Sequence, residues 1–182
     1  LCGCPECSDL LDNKGMKLVL PPVRVSVDMK LPRMARVLRK FDDTRVPDVR
    51  DTASREIRNL VESGIIKICS GARIAIAVGS RGVASIDTIV RATVDELKEM
   101  GAKPFIVPAM GSHGGATASG QAAVLSGYGI TPGAVGAPVQ ATMEVVRLGT
   151  TSMGVPVYLD RIAFESDGIV PVNRVKKHTD FR

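Results

Sequence analysis

The sequence predicts an α/β domain whose mostly parallel sheet carries helices on both faces, a three-layer, Rossmann-like plan, and three observations predict it. First, Arg73–Val78 and Pro104–Met110 are unbroken apolar runs, each followed by a Gly-rich loop and an amphipathic stretch of helical period. Strands covered on both faces read in this continuous way. Second, the loops Gly79-Ser80-Arg81-Gly82 and Gly111-Ser112-His113-Gly114-Gly115 begin about 30 residues apart, the length of one βαβ unit, whose right-handed crossover makes its strands parallel. Both loops therefore leave the same edge of the sheet. Third, aromatics are 3% of the chain and Trp is absent, so the core must be built from Val, Ile, Leu, Ala and Met.

In chain order, residues 1–16 are expected to be a Cys-rich tail, disordered or outside the fold, because the chain starts without Met and Met16 precedes the first strand pattern. The 182 residues suit one domain with a real core, here residues 17–182. Lys17–Val27 reads as an edge strand broken at Pro21-Pro22, Leu31–Lys40 as a short amphipathic stretch, and Phe41–Asp51 as a Pro- and Asp-rich loop. A helix is expected over Thr52–Glu62, closed by Gly64, and Cys69 is expected to be a small core residue. After the strand Arg73–Val78 comes a helix from Ile86 to Met100 ended by Gly101; after Pro104–Met110 comes one from Thr117 to Gly127. Past Tyr128-Gly129 a Gly/Pro-rich link leads to Gln140–Leu148, a turn at Gly149–Gly154 and Val155–Leu159, which read as a hairpin or sheet extension. Asp160–Ser166 reads as a short helical turn, and Asp167–Asn173 as a further strand whose Pro171 lacks the N–H of a central position.

Composition excludes several classes. At 45% hydrophobic and 24% charged residues the chain is an ordinary globular one. Its net charge of +5 comes from dispersed Lys and Arg, and the densest stretch, Arg24 to Arg58, is interrupted by Asp28, Asp42, Asp43, Asp48, Asp51 and Glu56. Such mixed faces are solvated surface, so no nucleic-acid partner is expected, and the shortage of aromatics removes base-stacking platforms. No apolar run reaches membrane-spanning length and no signal-peptide pattern opens the chain, which makes the cytoplasm the expected compartment and a membrane partner unexpected. Cys2, Cys4 and Cys7 are too tightly spaced for an ordinary disulfide framework. Cys4 and Cys7 have the gap of a zinc knuckle, but no second such pair or nearby His completes a tetrahedral set, and no metal ligand is assigned.

The residues that can carry chemistry sit after the predicted strands, where ligands bind open α/β sheets. Gly79, Ser80, Arg81 and Gly82 offer backbone N–H groups, a hydroxyl and a guanidinium, a cradle for a carboxylate or phosphate; the bland reading is a tight turn with a surface Arg. The chain has two His, and both follow predicted strands: His113 in the second loop, beside Ser112, and His178 behind Asn173, Lys176 and Lys177. Imidazole changes charge near neutral pH and suits taking and returning a proton, while Gly111, Gly114 and Gly115 let a ligand approach closely. Lys176 and Lys177 either bind an anion or form a basic surface turn. No G-x-G-x-x-G, Walker loop, G-x-S-x-G or H-E-x-x-H string is present.

Gly79-Ser-Arg-Gly82, Pro104-Phe-Ile-Val-Pro-Ala-Met-Gly-Ser-His-Gly-Gly-Ala116, Ser119-Gly-Gln121, Tyr128-Gly-Ile-Thr131, Met143-Glu-Val-Val146 and Asn173-Arg-Val-Lys-Lys-His-Thr-Asp-Phe181 together resemble the amino-terminal domain of the nickel-dependent lactate racemase family, from about Leu31 to Arg182. The resemblance implies a two-domain enzyme with its site in the interdomain cleft, using a nickel-pincer nucleotide to racemise or epimerise a small 2-hydroxy acid by hydride transfer to the cofactor and back. It implies that His113 and His178 are the acid/bases on opposite faces of the substrate and that Arg81 helps hold anionic groups, with the remaining loop residues, Gly79, Ser80, Gly82, Ser112, Asn173 and Lys176, in the substrate and cofactor site. The family's cofactor-attaching Lys and a nickel-ligating His fall beyond residue 182, so the partner implied is the carboxyl-terminal domain of the same protein and this stretch alone is expected to be inactive. Two departures stand out: the first loop lacks the acid of the family's D-x-T-R string, and Gly114 stands where the family has an Arg after the second-loop His. The competing reading is a non-catalytic carboxylate- or phosphate-binding module of the same fold; a metal-responsive tail at Cys2, Cys4 and Cys7 is a third.

Overall fold

Alternation along Arg73-Ile-Ala-Ile-Ala-Val78 sorts the side chains of this strand, β1, onto two faces, with Ile74, Ile76 and Val78 on one and Ala75 and Ala77 on the other. β1 is the middle of a three-stranded sheet. β2 (Lys103–Pro108) pairs with it on one side and β5 (Gly168–Val172) on the other, both in parallel. Val78 lies opposite both Pro108 and Val172, so the three strands finish level. The structure, a computed structural model, describes Leu38 and residues 44–80 and 82–174. The chain divides between Asp43 and Thr44, and every element below belongs to the second unit.

The isoleucine face is deeply covered. α2 (Ile86–Glu99), α3 (Ala118–Gly127) and α4 (Pro132–Val135) set Val90, Val94, Leu97, Leu125, Val135 and the adjoining Ile130 against Ile74, Ile76, Val78 and Ile106. Each such side chain taken from water contributes about 1.5–3 kcal/mol, so this layer supplies most of the hydrophobic stabilisation. The opposite face is shallow: Ala75, Phe105 and Val107 meet Ala163 and Ile162 of the one-turn α5 (Arg161–Phe164). The expected helical layers on both faces are therefore realised in part. Among the described residues the fold is mixed α/β, with a thick helical layer on one face and a single turn on the other. Alanines on that side of β1 give a short helix close approach but little apolar surface for a full layer to cover.

α1 (Val49–Glu62) packs on α2 and buries only Ser54. It starts ahead of the expected Thr52 because Asp48 caps it, its carboxylate accepting from Asp51 N at 2.9 Å. The tie to α2 is Arg58, whose Nε and Nη2 donate to Glu96 at 2.9 and 3.0 Å. That hydrogen bond and the carboxylate charge hold the Arg58 guanidinium above its ordinary pKa.

Three further expectations are adjusted. β3 (Val145–Thr150) and β4 (Pro156–Asp160) form the antiparallel hairpin, but β3 starts later than Gln140 because that segment is used elsewhere: Gln140 N donates to Ile106 O at 2.8 Å and Val139 bridges Ile106 in parallel at the β2 edge. Pro171 is accommodated because β5 is the outer strand of the described sheet, where a missing donor is tolerated. Cys69 is exposed, contrary to the core position expected of it, since it lies in the surface loop between α1 and β1. The tail at residues 1–16 with Cys2, Cys4 and Cys7, the strand at Lys17–Val27 and most of the amphipathic stretch at Leu31–Lys40 lie outside the described residues. No helix among the described residues is long and apolar enough to cross a membrane.

Candidate functional site at the carboxyl edge of the sheet

Because β1, β2 and β5 are parallel and end level, the segments that follow them emerge together. Main-chain bonds fix their roots: Gly79 N donates to Val172 O at 3.1 Å, and Ala109 N to Val78 O at 2.8 Å. Beyond these bonds lies a cleft of about 350 Å³ lined by Ser80 from the first loop, Ala109–His113 from the second, and Asn173 and Arg174 after β5. Its described lining contains one guanidinium and one imidazole, and no carboxylate. This wall is suited to an anion.

His113 is half-buried, and its Nδ1 shares a hydrogen bond with the Oγ of Ser80, which joins the ends of β1 and β2 side chain to side chain. Ser80 is buried, and the Tyr128 hydroxyl at the end of α3 donates to its carbonyl at 2.8 Å. The loop carrying His113 is held from beneath by the buried Gln121, whose Nε2 donates to Gly111 O at 2.7 Å. Thr117 caps α3, accepting from Gly120 N at 3.1 Å, and donates to Gly114 O at 3.0 Å.

Two glycine positions are dictated by close approach. At Gly79 a β-carbon would land on Asn173 Oδ1, so the Asn173 amide covers the first loop only while residue 79 has no side chain. At Gly114, with φ +64°, a β-carbon would meet the backbone of Gly120 and lie 2.5 Å from Gln121 N and 2.6 Å from Gly120 O. The loop after His113 thus rests backbone to backbone on the first turn of α3. An Arg at this position would force that contact apart, so the departure at Gly114 is built into the loop.

Of the residues singled out in the sequence, Ser80, Ser112, His113 and Asn173 line the cleft, Gly79 lies under Asn173, and Gly82 O receives Arg174 Nη1 at 3.5 Å. Arg81, Lys176 and His178 lie outside the described residues. Sequence reasoning gives no role to Tyr128, Gln121 and Arg174, although all three fall within the strings quoted above. Tyr128 and Gln121 act by donating to main-chain carbonyls far away in sequence, which no local spacing announces.

A larger cleft of about 690 Å³ lies between α1 and the approach to α2, lined by Arg45, Val46, Val49, Thr52, Ala53, Ala84, Ser85 and Ile89. It offers volume without an acid, base or nucleophile apart from serine and threonine hydroxyls, and size alone does not make it the site. Among the described residues, no three His, Cys, Asp or Glu gather to hold a metal ion. The described lining of the cleft at the strand ends therefore fits an anionic part of a ligand or cofactor, through Arg174 and the loop backbone, and does not by itself supply a nickel ligand set.

The family defined by the lactate racemase N-terminal domain matches the chain over residues 24–181. No curated protein and no solved structure matches it.

Proposed function

The chain belongs to the lactate racemase N-terminal domain family, and from that premise we propose that it is the amino-terminal half of a racemase or epimerase acting on a small 2-hydroxy acid. One observation carries the proposal. His113 stands at the carboxyl end of β2 with Nδ1 tied to the β1 loop, in a cleft whose described lining has no acid.

Inverting a 2-hydroxy acid through its oxidised form requires a base for the hydroxyl proton and a place for the carboxylate. His113 takes and returns that proton on one face of the substrate; His178, a few residues beyond Arg174, does so on the other. The carboxylate, or a phosphate of a cofactor, is held by Arg81, Arg174 and Lys176 and by the backbone of the Gly79–Gly82 and Gly111–His113 loops, with Ser112 and Asn173 as neutral hydrogen-bonding partners. A nickel-pincer nucleotide would supply a hydride acceptor and donor when bound, and no residue of the described cleft is proposed as its metal ligand or attachment point. The three-layer plan and a cytoplasmic setting go with this reading, as does a tail at residues 1–16 outside the catalytic domain of residues 17–182.

In the full-length, cofactor-loaded protein, H113A and H178A should each abolish stereoinversion of the 2-hydroxy acid substrate. Full activity in either variant removes that His from the reaction. If the loaded wild-type protein inverts no 2-hydroxy acid but binds an anion that is lost in R81A, the non-catalytic module is the correct reading.

A further inference from the structure

Ser80 and His113 come from different strand ends and meet through Oγ and Nδ1. Ser80 is 9% exposed, and its backbone is fixed on both sides, by Gly79 N donating to Val172 O at 3.1 Å and by the Tyr128 hydroxyl donating to Ser80 O at 2.8 Å. His113 sits in the second loop, whose main chain is held by Gln121 and by the first turn of α3.

We propose that Ser80 is a positioning residue that sets the tautomer and ring plane of His113, engaging Nδ1 so that Nε2 is the nitrogen exchanging the substrate's hydroxyl proton. The inference rests on the acid/base role proposed above for His113. In this arrangement Ser80 Oγ is the acceptor for Nδ1–H in both the neutral ring and the imidazolium. In the neutral ring Nδ1–H donates to Ser80 Oγ and Nε2 carries the lone pair. When the substrate O–H breaks, its bonding pair stays on oxygen, the proton forms Nε2–H, and the ring becomes imidazolium. The Nδ1–H bond to Ser80 persists and becomes charge-assisted. Returning the proton from Nε2 reverses the step without turning the ring. A carboxylate in this place would orient the ring equally well, but it would set a negative charge beside the carboxylate of the substrate. Serine avoids that repulsion, in keeping with the absence of acids among the described lining residues.

The test uses full-length protein labelled with ¹⁵N-histidine. Long-range ¹H–¹⁵N correlation reads which ring nitrogen carries the proton, and H113Q assigns the signals by their loss. The wild-type ring should be protonated at Nδ1, S80A should shift the population towards Nε2–H, and S80T should restore the wild-type pattern. In the loaded enzyme, S80A should lower kcat by about 10- to 100-fold with KM little changed, and S80T should recover most of it. A wild-type ring protonated at Nε2, or an S80A spectrum identical to the wild type, overturns the proposal. A tautomer that follows Ser80 in a protein incapable of stereoinversion would overturn the acid/base reading and reduce the contact to a structural one, which separates the two failures.

Discussion

Replacing Gly114 by Ala tests whether the loop that presents His113 is clamped to α3 as described. The cost has two parts. With φ at +64°, any L-residue pays for the left-handed conformation, roughly 1–2 kcal/mol. The added β-carbon would also lie 2.5 Å from Gln121 N and 2.6 Å from Gly120 O, against backbone that cannot rotate away. Overpacking of this kind costs typically about 1–3 kcal/mol, so G114A should lose about 2–5 kcal/mol. The neighbouring position is a built-in control: Gly115 has φ +66°, and a β-carbon added there would meet nothing within 4 Å. G115A should therefore lose only the conformational part, about 1–2 kcal/mol. Urea unfolding of both variants, with unchanged m-values, measures the difference directly. Equal destabilisation of the two would show that the backbone contact between Gly114 and Gly120 does not exist in solution.

Two further outcomes are expected. G79A should leave the melting temperature nearly unchanged, because the atom in its way is the end of the Asn173 side chain, but should weaken anion or substrate binding by turning that amide out of the cleft; unaltered affinity would remove Asn173 from the site. R58A should lower stability more than R55A, since it leaves the buried Glu96 carboxylate without its partner, and adding E96Q should restore part of the loss. Because the Arg58 pKa is raised in the folded state, its contribution is fully present below the unfolded value and lost only as pH rises through the folded one, far above neutrality. The R58A deficit should then be the same at pH 6 and pH 9, and a deficit that changes between them would contradict this pairing.

Strands were legible wherever burial on both faces removed alternation. Arg73–Val78 is bounded as expected, because an apolar run between a basic residue and a glycine has little freedom to be read otherwise. The start of α1 was hidden because Asp48 follows Pro47 in a stretch with loop composition, and only the Asp48 side-chain bond to Asp51 N marks it as a cap. The thinness of the second helical layer was not legible, since periodicity says that a strand is covered but not by how much. The same divide runs through the site. Glycines and a histidine after strands pointed to one edge of the sheet, and the loops that carry them do emerge there together, because parallel strands send their loops to one side. The bond between Ser80 and His113, and the supports from Tyr128 and Gln121, depend on the register that sets Val78 opposite Pro108 and on how α3 lies against the second loop.

The sheet has two rims, and a rival cleft of about 400 Å³ opens away from the strand ends, lined by Arg73, Lys98, Lys103 and Gln140 among others. Titrating ¹⁵N-labelled protein with a 2-hydroxy carboxylate while following backbone amides decides between them. Shifts concentrated at Ser80, Gly111, Ser112, His113 and Asn173 are the predicted result. Shifts confined to Lys98, Lys103 and Gln140, with His113 unmoved, would contradict the placement of the site.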